Sequence, residues 1–103
     1  MSFPNFPVWI LKIDKEEFPN STFTFSGGSG IGRMLAVYSD EALAHEIVEK
    51  RGKKEKCARL SKTAFCKLLK KCQEAGITHV AVNFEQTGAE IYLTKDLHFA
   101  FCT

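Results

Sequence analysis

Met34-Leu35-Ala36-Val37-Tyr38-Ser39-Asp40-Glu41-Ala42-Leu43-Ala44-His45-Glu46-Ile47-Val48-Glu49-Lys50-Arg51-Gly52 changes its apolar spacing partway along. The five residues Met34 to Tyr38 form an unbroken apolar run, which reads as a strand. Ser39 then offers a side-chain oxygen to the orphan amides of a helix, and Asp40 and Glu41 put negative charge in its first turn, where the macrodipole favours it. At about 100° per residue, Leu43, Ala44, Ile47 and Val48 fall within one arc of about 140°, with Glu41, His45, Glu46 and Glu49 outside it. This is an amphipathic helix. Lys50 and Arg51 place cations in its last turn, and Gly52 supplies a left-handed cap.

The same grammar repeats downstream. Lys56-Cys57-Ala58-Arg59-Leu60 reads as a short strand and Ser61 as the next N-cap. From Lys62 to Ala75 the residues Ala64, Phe65, Leu68, Leu69, Cys72 and Ala75 share one side, opposite Lys67, Lys70, Lys71 and Glu74, and Gly76 ends the helix. His79 to Phe84 and Glu90 to Thr94 follow as strands around the turn Gln86-Thr87-Gly88, with a further strand over His98 to Cys102.

Upstream, Val8 to Ile13 reads as a buried strand running into the charged loop Asp14-Lys15-Glu16-Glu17 and the turn Phe18-Pro19-Asn20. Thr22 to Phe25 alternates as a half-buried strand should. It forms a hairpin with Met34 to Tyr38 through the link Gly27-Gly28-Ser29-Gly30-Ile31-Gly32.

The order is β-β-β-α-β-α-β-β. Two helices, each apolar on one face, imply an α/β (α+β) two-layer sandwich: a mixed sheet with both helices on one face. The sheet's other face is then left to Phe3, Phe6, Trp9, Phe18, Phe23, Phe25, Phe99 and Phe101. An N-terminal arm, residues 1–7, or a second subunit would cover it.

With 103 residues, 45% of them hydrophobic and 25% charged, the chain reads as a single globular domain over 1–103. The opening Met1-Ser2-Phe3-Pro4-Asn5-Phe6-Pro7 has no basic segment or small-residue cleavage site. The longest apolar run, Val8-Trp9-Ile10-Leu11, is far short of the ~20 residues a membrane span needs. A soluble, cytoplasmic chain with no membrane contact is expected. Cys57, Cys66, Cys72 and Cys102 are accordingly expected as free thiols. Cys66 and Cys72 are turned about 120° apart on their helix, so neither a zinc site nor any other cofactor is implied.

Gly27 to Arg33 resembles the opening of a phosphate-binding loop, but Arg33 stands where lysine is required, Met34 where a hydroxyl is, and a strand follows in place of a helix. It reads as a flexible hairpin link, with a ligand-gripping lid as the alternative. Arg33 and Asn83 are candidate binding residues for a cleft of that kind. His45, His79 and His98 fall on different elements, and Ser39 and Ser61 are explained as caps, so no nucleophile or catalytic set is apparent.

Charge is the most uneven feature. Residues 50–71 carry ten Lys/Arg against the single acid Glu55, a local charge of +9, while the whole chain carries +2 and the remainder therefore −7. Such a segment is either a solvated, solubilising face or a contact for an anionic partner. Lys53, Lys54, Lys56, Lys67 and Lys71 are the candidate contact residues. Nucleic acid is disfavoured, because the one aromatic of the segment, Phe65, falls on the core side and stacking platforms need exposed aromatics. Phosphate-backbone contact alone remains an alternative. The leading expectation is a non-enzymatic interaction module for a protein partner or for a second copy of itself as a homodimer.

Tyr38-Ser39-Asp40-Glu41-Ala42-Leu43-Ala44 resembles the F-T-S/D-E-x-A helix opening of the SseB-like family, named for enhanced serine sensitivity. Ala75-Gly76-Ile77-Thr78-His79-Val80-Ala81-Val82-Asn83 is similar to that family's strand G-x-x-x-hydrophobic-x-hydrophobic-N-P up to the asparagine, with Phe84 in place of the proline. The resemblance spans roughly Met34 to Asn83. It implies a small bacterial α/β domain with no catalytic residues to carry over.

Overall fold

The computed structural model describes residues 3–13, 18, 21–22, 24–26, 32–52, 54–84 and 89–102. In chain order the elements are β1 (Val8–Lys12), β2 (Thr24–Ser26), β3 (Arg33–Val37), α1 (Glu41–Lys50), β4 (Lys56–Leu60), α2 (Lys62–Glu74), β5 (Ile77–Val82), β6 (Glu90–Leu93) and α3 (Thr94–Phe101). The α+β class and the order through β6 match the sequence pattern. The glycine link 27–31, the turn 86–88, the acidic loop 14–17 and Lys53 lie outside the described residues.

β1 and β4 pair antiparallel as one sheet, and β2-β3-β5-β6 form a second, mixed sheet in which β3 and β5 run parallel. The connection between those parallel strands is the α1-β4-α2 segment. Trp9 and Tyr38 stitch the sheets together with a reciprocal pair of backbone hydrogen bonds of 2.9 and 2.8 Å.

Alternation along the strands then sets where the helices go. Val8 and Ile10 of β1, with Leu35 and Val37 of β3, enter a core shared with Phe65, Leu69 and Cys72 of α2 and Leu97 of α3. Leu11, Ala36 and Tyr38 point the other way, onto Ala44, Ile47 and Val48 of α1. The expectation of both helices on one face is thereby corrected: α1 covers one face, α2 and α3 the other. The physical reason lies in β1 and β3, whose apolar runs bury side chains on both faces and so need cover on both.

A second correction concerns the expected strand over His98 to Cys102: His98 to Phe101 belong to the helix α3, and Cys102 is its C-cap. Thr94 is 3% exposed, and its hydroxyl is placed to donate to the carbonyl oxygens of Ile77 (3.2 Å) and Thr78 (3.1 Å), which pins the start of α3 to β5. Leu97 is fully buried, and Phe101 packs at its edge one turn later.

The aromatic surplus is divided: Trp9 and Phe25 pack on the α1 side, while Phe3, Phe6, Phe18 and Phe101 pack on the α2 side. Phe3 and Phe6 fold back so that their rings lie 5.3 and 5.5 Å from Phe65, and each lies 5.5 Å from Phe101. Among the described residues the exposed large hydrophobics are Ile91 (52%) and Phe99 (76%). No helix among them is long and apolar enough to cross a membrane.

Caps follow local chemistry with one exchange of roles. Asp40, not Ser39, caps α1, accepting from the Leu43 amide at 2.9 Å; Ser61 caps α2 as its position predicts. Gly52 and Gly76 take φ of +82° and +78°, the left-handed conformation that ends a helix most cheaply at glycine. Between α1 and β4, the Glu55 side chain is almost completely buried and accepts from Arg51 Nε at 2.6 and 3.0 Å. The lone acid of the basic segment is thus a structural counter-ion.

Candidate functional site

α2 is built as a two-sided rod. Phe65, Leu69 and Cys72 are buried beneath it, while Lys62, Lys67, Lys70 and Lys71 are exposed above it. Among the described residues no carboxylate pairs with these four lysines, whereas Lys50 pairs with Glu46 and Arg51 with Glu55. Unneutralised, the four ammonium groups sum their field over one helix face.

Along one flank α2 meets α3 in a groove of about 550 Å³, walled by Lys62, Cys66, Lys67, Lys70, His98 and Phe101. Cys66 and Cys102 form a disulfide in its wall, with a Cα–Cα distance of 5.6 Å. This corrects the expectation of four free thiols. The α3 helix brings Cys102 back against α2, a juxtaposition that a terminal strand would not produce. Along the other flank Lys67 and Lys71 meet Lys12 of β1 around a smaller dent of about 170 Å³ floored by Ile10, Phe18 and Leu60. Lys67 borders both depressions, so the basic surface is continuous across α2.

The other candidates are dispersed. Lys54 and Lys56 are exposed at the entry to β4, where Lys56 stands opposite Lys12 in the β1–β4 register. Arg33 is exposed at the start of β3, and its Nε donates to Thr24 Oγ1 at 2.6 Å. Asn83 follows the far end of β5 in a left-handed conformation, φ 53°. Its amide nitrogen Nδ2 donates to Ser39 Oγ (2.9 Å), and its Oδ1 accepts from the Ser39 amide (3.0 Å). Arg33 pairs with Ile77 and Asn83 lies six residues further along, so about 20 Å of strand separates them and they share no cleft. Asn83 is a clamp that holds the β3-to-α1 corner.

The sequence reading named Lys67 and Lys71 but not Lys12, Lys62, Lys70 or His98 as groove or dent residues. For Lys62 and Lys70 a signal was present, since positions 62, 66 and 70 recur every four residues on one helical face. Lys12 and His98 carry no such signal, because only the fold brings them alongside α2. Gly32, at the end of the glycine link, lines a separate cleft of about 530 Å³ with Thr78, His79 and Lys95.

Of the other two cysteines, Cys72 is buried and Cys57 half-buried. Burial pushes the Cys72 thiol up to about 12, and burial, reinforced by Glu41, raises Cys57. Among the described residues no three His, Cys, Asp or Glu side chains converge in a way that could hold a metal ion. For Cys72 the sign is definite: the thiol is harder to ionise in the folded chain than in the unfolded one, so its stabilisation is intact below about pH 8.5 and is lost as pH climbs towards 12. Between pH 8 and about pH 10.5, urea unfolding of the native sequence should lose about 2 kcal/mol more than Cys72→Ala loses over the same interval. Equal losses in the two proteins would contradict a buried Cys72.

No protein-family model matches the chain, and no curated protein matches it.

Proposed function

We propose that this chain is a non-enzymatic protein-interaction module whose α2–α3 groove receives an acidic, partly apolar segment of a partner protein. The observation that carries this reading is the composition of the groove: Lys62, Lys67 and Lys70 line the same space as Phe101 and a disulfide. Cations select carboxylates and an apolar wall rewards burial, a combination suited to a peptide in which acidic and leucine-like residues alternate. A phosphate backbone would use the charge and leave the apolar wall unsatisfied. Phe65, the aromatic nearest the lysines in sequence, is fully buried and cannot stack on bases. The resemblance of residues 34–83 to SseB-like domains, which implies no catalytic residues, agrees with a binding role.

The test titrates a labelled peptide of alternating Glu and Leu, and separately a single-stranded oligonucleotide of equal charge, into the full chain at low and moderate salt. Lys62→Glu/Lys67→Glu/Lys70→Glu should weaken peptide binding at least about tenfold, about 1.4 kcal/mol. Lys54→Glu/Lys56→Glu should change it little, as those residues lie off the groove. Tighter binding of the oligonucleotide, with steep salt dependence, would replace this reading with nucleic-acid contact. Light scattering that shows a dimer broken by the triple variant would make the partner a second copy of the chain.

A further inference from the structure

Of the four cysteines, Cys72 is fully buried beneath α2, and Cys57, half-buried on the α1 side, has its thiol raised by burial and by Glu41. The other two are in a different setting. The Cys66–Cys102 disulfide is half-buried and forms part of the wall of an open groove also lined by Lys62, Lys67, Lys70 and His98. Positions 62, 66 and 70 are spaced i, i+4 on α2, so the two lysines bracket the sulfur along a single helical stripe. This disulfide is half-buried in the wall of an open groove lined by cations, the setting that favours thiolate formation and thiol attack.

We propose that Cys66–Cys102 is a thiol-exchange site for a small anionic thiol, one bearing carboxylates, which forms a mixed disulfide at Cys102 and opens the link between α2 and α3. The incoming thiolate donates its electron pair to Cys102 Sγ, and the Cys66–Cys102 bond breaks. The bonding pair leaves on Cys66 Sγ, the sulfur bracketed by Lys62 and Lys70, where the negative charge is best stabilised. A second equivalent of the thiol attacks the mixed disulfide, releases the small-molecule disulfide and leaves Cys102 reduced. In sum, two thiols are oxidised to one disulfide and the protein disulfide takes up two electrons and the two protons. The lysines act twice, gathering the anionic reagent into the groove and holding the leaving thiolate. This inference stands apart from the peptide-binding reading, since a groove that captures no peptide can still exchange thiols.

The test uses the folded full chain with glutathione as the anionic thiol, 2-mercaptoethanol as the neutral one and cysteamine as the cationic one. Reactions are quenched by alkylation, located by peptide mass spectrometry and compared as rates per thiolate. Glutathione should outpace cysteamine by about tenfold or more at low salt, a preference of electrostatic origin that high salt erases. Lys62→Gln/Lys70→Gln should abolish the preference and, because the same lysines hold the leaving Cys66 thiolate, should slow 2-mercaptoethanol as well, though by a smaller factor than glutathione. The adduct should sit on Cys102. The salt dependence in the native sequence keeps the test valid should the double variant fold poorly. The proposal is overturned by equal rates for the two charged thiols, by an adduct on Cys66, or by a disulfide that opens only as fast as the whole chain unfolds.

Discussion

Cys102→Ser lowers the unfolding free energy by about 3 kcal/mol, because it removes a crosslink between residues 36 apart in the chain. The loop-closure relation gives about 4 kcal/mol for a loop of that length, and measured bridges fall in a range of about 2 to 4. For a domain whose whole stability is about 5 to 15 kcal/mol, this is a large fraction. Cys66→Ser should cost the same and the double variant no more than either, since all three lose one and the same bond. Urea unfolding read by fluorescence of Trp9, the single tryptophan, reports each transition. Its indole Nε1 is buried in the α1-side core with no hydrogen-bond partner among the described residues, so unfolding moves the ring from a dry to a wet setting. A loss under about 1 kcal/mol would show that the bridge does not clamp α3 to α2.

The residues that governed this outcome differ in how openly the sequence displays them. α1 and α2 were legible because their apolar positions keep helical phase, and because Gly52 and Gly76 mark their ends with the conformation glycine adopts most easily. α3 was not, for a local reason: Leu93 precedes it and contributes no side-chain cap, so only Asp96 in the first turn and the Leu97–Phe101 spacing hint at a helix there. Phe99 and Phe101 alternate as in a strand, and the helix is settled by tertiary bonds from Thr94 to β5 and by the burial of Leu97. With α3 misread, the groove could not be foreseen, although every lysine in its wall had been counted as charge. The disulfide was hidden by the same misreading, together with the inference that thiols stay reduced in a cytoplasmic chain. The two-sided placement of the helices, in contrast, was implicit in Val8 to Leu11 and Met34 to Tyr38, whose unbroken apolar runs leave no face for water.

Phe65→Ala should be the most destabilising single truncation on the α2 side, at about 4 kcal/mol, since the ring is fully buried and its loss leaves a cavity. The N-terminal segment is implicated as well. Phe3 and Phe6 rest on that ring at 5.3 and 5.5 Å, and Phe3 also touches Tyr92 edge-on at 5.5 Å. Phe3→Ala and Phe65→Ala should therefore couple, the double variant losing about 0.5 to 1.5 kcal/mol less than the sum of the singles. Phe99→Ala is the internal control. That ring is 76% exposed, and its removal should stay within about 0.5 kcal/mol of the native chain. Urea titration followed by Trp9 fluorescence distinguishes these cases, with Trp9 lying in the α1-side core away from the altered ring. The same side chain connects stability to the groove, because Phe65 seats α2 on the strands while Lys62, Lys67 and Lys70 stand on its outer surface. In the folded fraction of Phe65→Ala, the groove should accordingly lose affinity for an acidic peptide even though no lysine has changed. Unaltered affinity at reduced stability would mean that α2 keeps its seat through Leu69 and Leu97 alone.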